Sequence, residues 1–362
     1  MIETLIKNAE IENFRNYEKS EISFFDGVNI IYGQNAAGKT NIIEALYFFS
    51  QGRSFRSSIS EVIRHGHETA KIGVSFSSAG RDMDSRIIFE KGKKRSIELN
   101  GVLINKTSRL LGNLICVLFT PDEMELIKSG PEKRRRFADS AVIPLKPTYV
   151  SLLNSYNSIL NQKTALLRRG KYETLDAWNE KQSETGSRII HIRKSYMEKL
   201  CAEAGKIHFE FSDGAERLEG RYVSSVTVKE TVVQTQEEFY KKLYEAKDRE
   251  IALCMPLVGP QRDDFQFKIN SFSARAFSSQ GQQRSVCLSL KTAQAEIIKE
   301  KTGQYPVLLL DDVMSELDKA RREFLVKKLY GKQVIITCTD VNGAHIKDAQ
   351  KLIFVEKGRI YE

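Results

Sequence analysis

Gly33-Gln34-Asn35-Ala36-Ala37-Gly38-Lys39-Thr40-Asn41 lies between a short apolar run, Val28 to Tyr32, and a helix-like segment that begins Ile42-Ile43-Glu44-Ala45-Leu46. A glycine, four residues and then Gly-Lys-Thr is the spacing of a phosphate loop, in which backbone N–H groups and a helix N-terminus converge on an anion. In such a loop Lys39 reaches the β- and γ-phosphates, and the Thr40 hydroxyl takes one position on Mg2+. The plain alternative is a glycine turn that merely starts a helix. By itself the loop does not separate kinase, GTPase, helicase and transport motor, so the choice falls to elements far downstream.

Pro306-Val307-Leu308-Leu309-Leu310-Asp311-Asp312 is an apolar run ending in two carboxylates, which suits a strand buried on both faces of a parallel sheet. Asp311 at its end is the candidate Mg2+ ligand, and Asp312 is placed to orient or deprotonate an attacking water. Read in isolation, the pair would cap the following helix. Ser278-Ser279-Gln280-Gly281-Gln282-Gln283-Arg284 precedes a long helical pattern from Ser285 to Lys301. Ser279, Gln280, Gly281 and Gln282 there form either a second anion site or an ordinary helix cap.

The chain has 362 residues, 41% of them hydrophobic, enough for two or three packed lobes. The longest apolar run, Leu114 to Phe119, is far short of a membrane span, and Met1 to Lys7 lacks a signal-peptide core, so a soluble cytoplasmic protein without membrane contact is expected. Five scattered cysteines without a Cys-x-x-Cys pair argue against disulfides and zinc.

A net charge of +9 favours an acidic partner such as nucleic acid. Lys93, Lys94 and Arg95 fall at a hairpin tip with no local acids to pair them, and are the first candidates for phosphate contacts with double-stranded DNA. Arg53 and Arg56 form a second candidate cluster. No recognition helix, zinc finger or aromatic single-strand platform is present, so binding to the duplex backbone, sensitive to salt and blind to sequence, is expected.

The pattern predicts an α/β fold. Residues 1–118 and 301–362 form a nucleotide-binding lobe with a mixed sheet. Residues 119–300 form a mostly helical lobe that carries the Ser279 element and, over about 121–205, two antiparallel helices joined by Arg168-Arg169-Gly170-Lys171. These helices are expected to span about eight turns or fewer, and no sustained heptad repeat announces a long coiled coil. Residues 207–228 are expected to be strand.

Together the phosphate loop, the Asp311-Asp312 strand and the Ser279 element resemble the ABC-type ATPase head, and within it the RecF family. The resemblance extends through Phe14-Arg15-Asn16-Tyr17, Gly52-Arg53-Ser54-Phe55-Arg56, Phe119-Thr120-Pro121-Asp122, Arg134-Arg135-Arg136-Phe137-Ala138-Asp139, Gly259-Pro260-Gln261-Arg262-Asp263-Asp264 and Asp311-Asp312-Val313-Met314-Ser315-Glu316-Leu317-Asp318. It implies ATP with Mg2+, Arg15 at the nucleotide, and an ATP-dependent homodimer. In that dimer Ser279 and Gly281 of one copy touch the γ-phosphate held by the other, and Ser315 to Asp318 cross the interface. It further implies duplex binding beside single-strand gaps, partnership with RecR and RecO, and help in loading RecA. Thr339 stands where ABC heads carry a switch histidine; a threonine cannot carry a proton near neutral pH, which implies slow hydrolysis. Transporter heads also carry a glutamine where this chain has Thr120-Pro121-Asp122-Glu123. The ATP-binding subunit of a transporter is the alternative, and lacks its glutamine and histidine here; a small-molecule phosphotransferase leaves the Ser279 element without a purpose.

Overall fold

Residues 4–341 and 349–361 are described by the structure, a computed structural model; the first three residues of the charged chain start lie outside them. The chain divides into two units, 1–125 with 280–362, and 126–279. The first unit opens with β1 (Leu5–Phe14), β2 (Tyr17–Ser23), β3 (Val28–Tyr32), α1 (Lys39–Gln51), β4 (Thr69–Ser78), β5 (Arg81–Glu90), β6 (Ser96–Leu99), β7 (Val102–Leu103), β8 (Cys116–Phe119) and α2 (Pro121–Met124). The second unit holds α3 (Pro131–Val142), α4 (Thr148–Arg169), α5 (Leu175–Phe211), β9 (Leu218–Val223), α6 (Val232–Glu245), α7 (Lys247–Leu253), β10 (Asp264–Ile269), β11 (Phe272–Ser273) and α8 (Ala274–Phe277). The chain then returns to the first unit with α9 (Gln280–Thr302), β12 (Val307–Asp311), α10 (Lys319–Leu329), β13 (Val334–Cys338), β14 (Lys351–Glu356) and β15 (Arg359–Tyr361).

Two sheets shape the first unit. Continuous apolar runs give β8, β12 and β13, all buried along their length, and these join β3 and β14 in a parallel sheet of order β15-β14-β3-β13-β12-β8, with β15 antiparallel at the edge. Alternating burial along β4 marks the other sheet, an antiparallel one of order β2-β1-β4-β5-β6-β7 with one face buried. Helix α1 is buried nearly all round because its side chains join one apolar core with residues of both sheets. Phe14, Phe48 and Phe89 form its aromatic centre, with ring centroids 5.1–6.3 Å apart. Parallel strands point their C-terminal ends one way, so the ends of β3 and β12 meet the start of α1, the usual place for a ligand in an open α/β sheet.

In the second unit α4 and α5 form the expected antiparallel pair, closed by Gly170 in a left-handed cap. Helix α5 is longer than expected: its 37 residues make about ten turns. The buried face continues past Leu200 through Ala204, Ile207 and His208, so helix replaces the strand expected from residue 207, and β9 begins only at Leu218. The boundary expected at residue 300 also moves. Helix α9 belongs to the first unit, where its inward residues Val286, Leu290, Ala293 and Ile297 are buried and it packs on α2 and β8.

The family-like motifs of the second unit are largely structural. Arg134 makes a bidentate pair with Asp264 at 2.7 and 2.9 Å, and Arg193 makes another with Asp139 at 2.9 Å through both nitrogens. Asp139 also accepts from the Tyr149 hydroxyl at 2.7 Å, and Gln261 from the Tyr156 hydroxyl at 2.6 Å. Burying these charges is tolerable because each carboxylate and guanidinium is paired.

Candidate functional site

The 33–41 loop is shaped by what presses on it. At Gly33, with φ 152°, a Cβ would lie 2.1 Å from the Val355 carbonyl oxygen, so no side chain fits. Asn16, just ahead of β2, and Tyr17, its first residue, hold the loop from outside: Asn16 Nδ2 donates to the Ala37 carbonyl at 2.9 Å, and the Tyr17 hydroxyl to the Gly38 carbonyl at 3.1 Å. Asn41 Nδ2 in turn donates to Asn16 Oδ1 at 2.7 Å. Gln34, Asn35 and Ala36 form the exposed rim, while Ala37, Gly38 and Lys39 are buried. No side chain caps α1, and its first turn contains no acid, so its amide dipoles stay available to an anion.

Lys39 folds into this cradle, its Nζ donating to the carbonyls of Gly33 at 2.7 Å and Gln34 at 2.9 Å. Burial lowers its pKa, against the pull of Asp312, Cys338 and Asp311. Thr40 and Asp311, 271 residues apart, meet at 2.8 Å between Thr40 Oγ1 and Asp311 Oδ1. Burial raises the Asp311 pKa, while hydrogen bonds from Thr337 and Thr40 and the charge of Arg56 oppose that. Two hard oxygens side by side beneath a cradle of amides suit a small divalent cation bound to phosphate, so Mg2+ and a nucleoside triphosphate fit the residues present.

Thr337 was not singled out from the sequence. Fully buried on β13, its hydroxyl donates to Asp311 Oδ1 at 2.8 Å and accepts from the Asp312 amide at 3.0 Å. Asp312 turns there with φ 53°, a left-handed conformation that aspartate tolerates, and Ser315 Oγ donates to its carbonyl at 2.8 Å. Only the parallel register Asp311↔Thr337 reveals this role, since a threonine inside an apolar strand gives no local signal. Thr339 lies just past the end of β13 and is exposed.

Glu44, which the sequence shows only as part of the helix after the loop, anchors a second cluster. Its side chain is fully buried and takes a bidentate pair from Arg15 at 2.9 and 2.7 Å, a bond from Arg56 at 2.6 Å, and one from Ser54. Burial pushes its pKa up, but the bonds from Arg15, Ser54 and Arg56 outweigh it and hold the carboxylate below its ordinary range. Two of the expected contact residues, Arg56 and Arg15, belong to this cluster. Arg56, expected on DNA, is committed to Glu44 and to Asn41 Oδ1 at 2.5 Å, and its charge reaches Asp311. Arg15, expected at the nucleotide, places its guanidinium on Glu44, Ser57 and the Glu61 carbonyl. Arg53 is exposed.

The hairpin tip also differs from expectation. Lys93 pairs with Glu90 at 2.6 Å and Lys91 with Glu68 at 3.4 Å, so local acids are present after all. Arg95 turns inward, donates to Thr107 Oγ1 at 3.2 Å, and has its pKa lowered by burial. Lys94 remains exposed.

At the Ser279 element, Ser279 and Gln280 are exposed, and Gly281 and Gln282 enter the first turn of α9. Arg284 pairs with Glu316 at 2.6 Å, and Arg321 Nε donates to the Gly281 carbonyl at 3.1 Å. Glu123, in the segment replacing the transporter glutamine, pairs with Lys291 of α9 at 2.6 Å, and Thr120 caps α2 through the Glu123 amide.

A parallel sheet whose strand ends present Lys39, Thr40 and Asp311 around one cradle, backed across α1 by an antiparallel sheet, is the architecture of an ABC-type P-loop ATPase head. The model of the RecF/RecN/SMC N-terminal domain family matches residues 5–360. The DNA replication and repair protein RecF of Acetivibrio thermocellus is 40% identical over 361 residues, covering 97% of this chain and 98% of that one. Its counterpart in Clostridium acetobutylicum is 37% identical, with 99% of each covered. A solved structure of the recombination mediator protein RecF with ATPrS, in the RecFOR pathway, has a TM-score of 0.93 at 35% identity, covering 99% of this chain and 98% of that chain. The chain belongs to the RecF/RecN/SMC N-terminal domain family, on its RecF branch.

Proposed function

We propose that this chain is an ATP-dependent DNA-binding protein of recombinational repair and replication restart. Its ATP-bound homodimer grips double-stranded DNA beside single-strand gaps, works with RecR and RecO to promote RecA loading, and lets go after slow hydrolysis. The observation that carries the nucleotide half of this reading is the 2.8 Å contact of Thr40 with Asp311, which joins the two ends of the chain at one cradle. Relatives named DNA replication and repair protein RecF support a role in repair, and a solved RecF–ATP structure in the RecFOR pathway supports the nucleotide and the pathway.

Lys39 would neutralise phosphate oxygens in the cradle, and Thr40 and Asp311 would hold Mg2+, which would offset charge on the terminal phosphates. Asp312 orients the attacking water. No proton carrier stands at Thr339, so turnover is slow and ATP acts as a timer. Ser279 and Gly281 meet the γ-phosphate bound by the second copy, and the Ser315–Asp318 loop crosses the interface between the copies.

Duplex binding measured with and without ATP across a salt series tests the reading. Tight binding only with ATP, weakening steeply with salt and indifferent to sequence, is expected. Equal binding in both states would overturn the ATP-dependent grip.

A further inference from the structure

The Ser279 element and the Ser315–Asp318 loop are braced together by two arginines that reach in opposite directions. Arg284, on α9, donates to both the carboxylate and the carbonyl of Glu316. Arg321, in the first turn of α10, reaches back: its Nε donates to the Gly281 carbonyl at 3.1 Å and to Ser285 Oγ at 3.0 Å, and its NH1 pairs with Asp318. The approach is so close that a Cβ at Gly281 would lie 2.7 Å from Arg321 NH2. Asp318 serves twice, since its carboxylate also caps α10 through the Arg321 amide at 2.9 Å.

Electrostatically this is an unusual place for a guanidinium. The first turn of a 23-residue helix already carries partial positive charge, and a cation beside it is unfavourable unless an anion joins them. Asp318 supplies such an anion through its pair with Arg321 NH1.

We propose that Arg321 is a positioning residue for the composite ATP site. It fixes the Ser279–Gly281 tip and the Ser315–Asp318 loop as a single element and adds positive charge where the tip receives the terminal phosphate of nucleotide held by a second copy. The proposal rests on the ATP-bridged homodimer described above and adds the residue that sets its geometry. The contacts named above tie Arg321 to Gly281, Ser285 and Asp318 and not to the 33–41 loop, so its removal is expected to separate nucleotide binding from pairing.

The test uses the full chain with two readouts: fluorescent ATP-analogue binding at concentrations too low for pairing, and ATP-dependent dimerisation by light scattering. Arg321→Ala should bind nucleotide within about twofold of wild type, as a substitution away from the cradle does. Its dimer should be weaker by about tenfold or more, the loss expected for several charge-assisted hydrogen bonds. Arg321→Lys keeps the charge but cannot bridge three acceptors, so it should fold as wild type and recover dimerisation in part. Wild-type dimerisation in both variants overturns the proposal, as does equal loss of nucleotide binding and dimerisation in Arg321→Lys, which would mark the brace as purely structural. If the wild-type chain itself fails to pair with ATP, the homodimer reading falls and this inference falls with it.

Discussion

Thr337 and Asp311 sit side by side on neighbouring parallel strands, joined by a 2.8 Å hydrogen bond from a hydroxyl with no solvent exposure. That hydroxyl also receives the Asp312 amide, so one side chain sets both carboxylates at the end of β12. Thr337→Val keeps the shape and deletes both bonds. The variant should lose about 2 kcal/mol of stability, read by urea unfolding, because a buried amide and carboxylate each lose a partner. Its ATP turnover should fall by about tenfold, whereas Thr337→Ser stays near wild type in both.

Lys39→Met removes the ammonium from the phosphate cradle. Nucleotide binding, followed with a fluorescent ATP analogue, should be lost, and ATP-dependent pairing with it. Retained affinity would remove Lys39 from its role.

Asp312→Asn leaves the Thr337 bond in place, because that bond is made by the backbone amide. The variant should bind ATP and pair as wild type but hydrolyse little. Normal turnover in a phosphate-release assay would show that another group orients the water.

Glu44 carries the loop after α1. Glu44→Gln leaves two guanidiniums beside a neutral, buried amide, and should cost about 3 kcal/mol in urea unfolding. The folded-state pKa of Glu44 is depressed, so the stabilisation is present above its unfolded value and is lost as pH falls through its folded value. The variant should lack that part of the acid-side decline, and an identical pH profile would show that the ion pairs contribute nothing.

Lys93 and Lys94 remain the exposed cations of the hairpin tip, and the Lys93–Glu90 pair, exposed on both sides, is worth little. Replacing both by Gln should weaken duplex affinity and reduce its salt dependence by about two ion equivalents, with ATP binding unchanged. Unaltered salt dependence places the duplex elsewhere on the surface.

What could be read from the chain alone follows physical range. Gly33 to Asn41 and the Val307–Asp312 strand declare themselves because their chemistry depends on local spacing and a local apolar run. Thr337, Glu44 and Arg321 escape notice because their roles depend on pairing across the sheet or on a contact between distant elements. Arg95 shows the opposite error: charge density in a turn suggested exposure, yet a long aliphatic stem let one arginine turn toward Thr107. Helix α5 outran its expected end because the period of its buried face continues to His208.

Molar mass by light scattering, taken with and without ATP and Mg2+, bears most directly on the nucleotide-bridged pair. The chain should weigh 41.3 kDa without nucleotide and twice that with ATP, and the heavier species should vanish in Lys39→Met. A mass of 41.3 kDa in both conditions, at ATP concentrations that saturate the cradle, would contradict it.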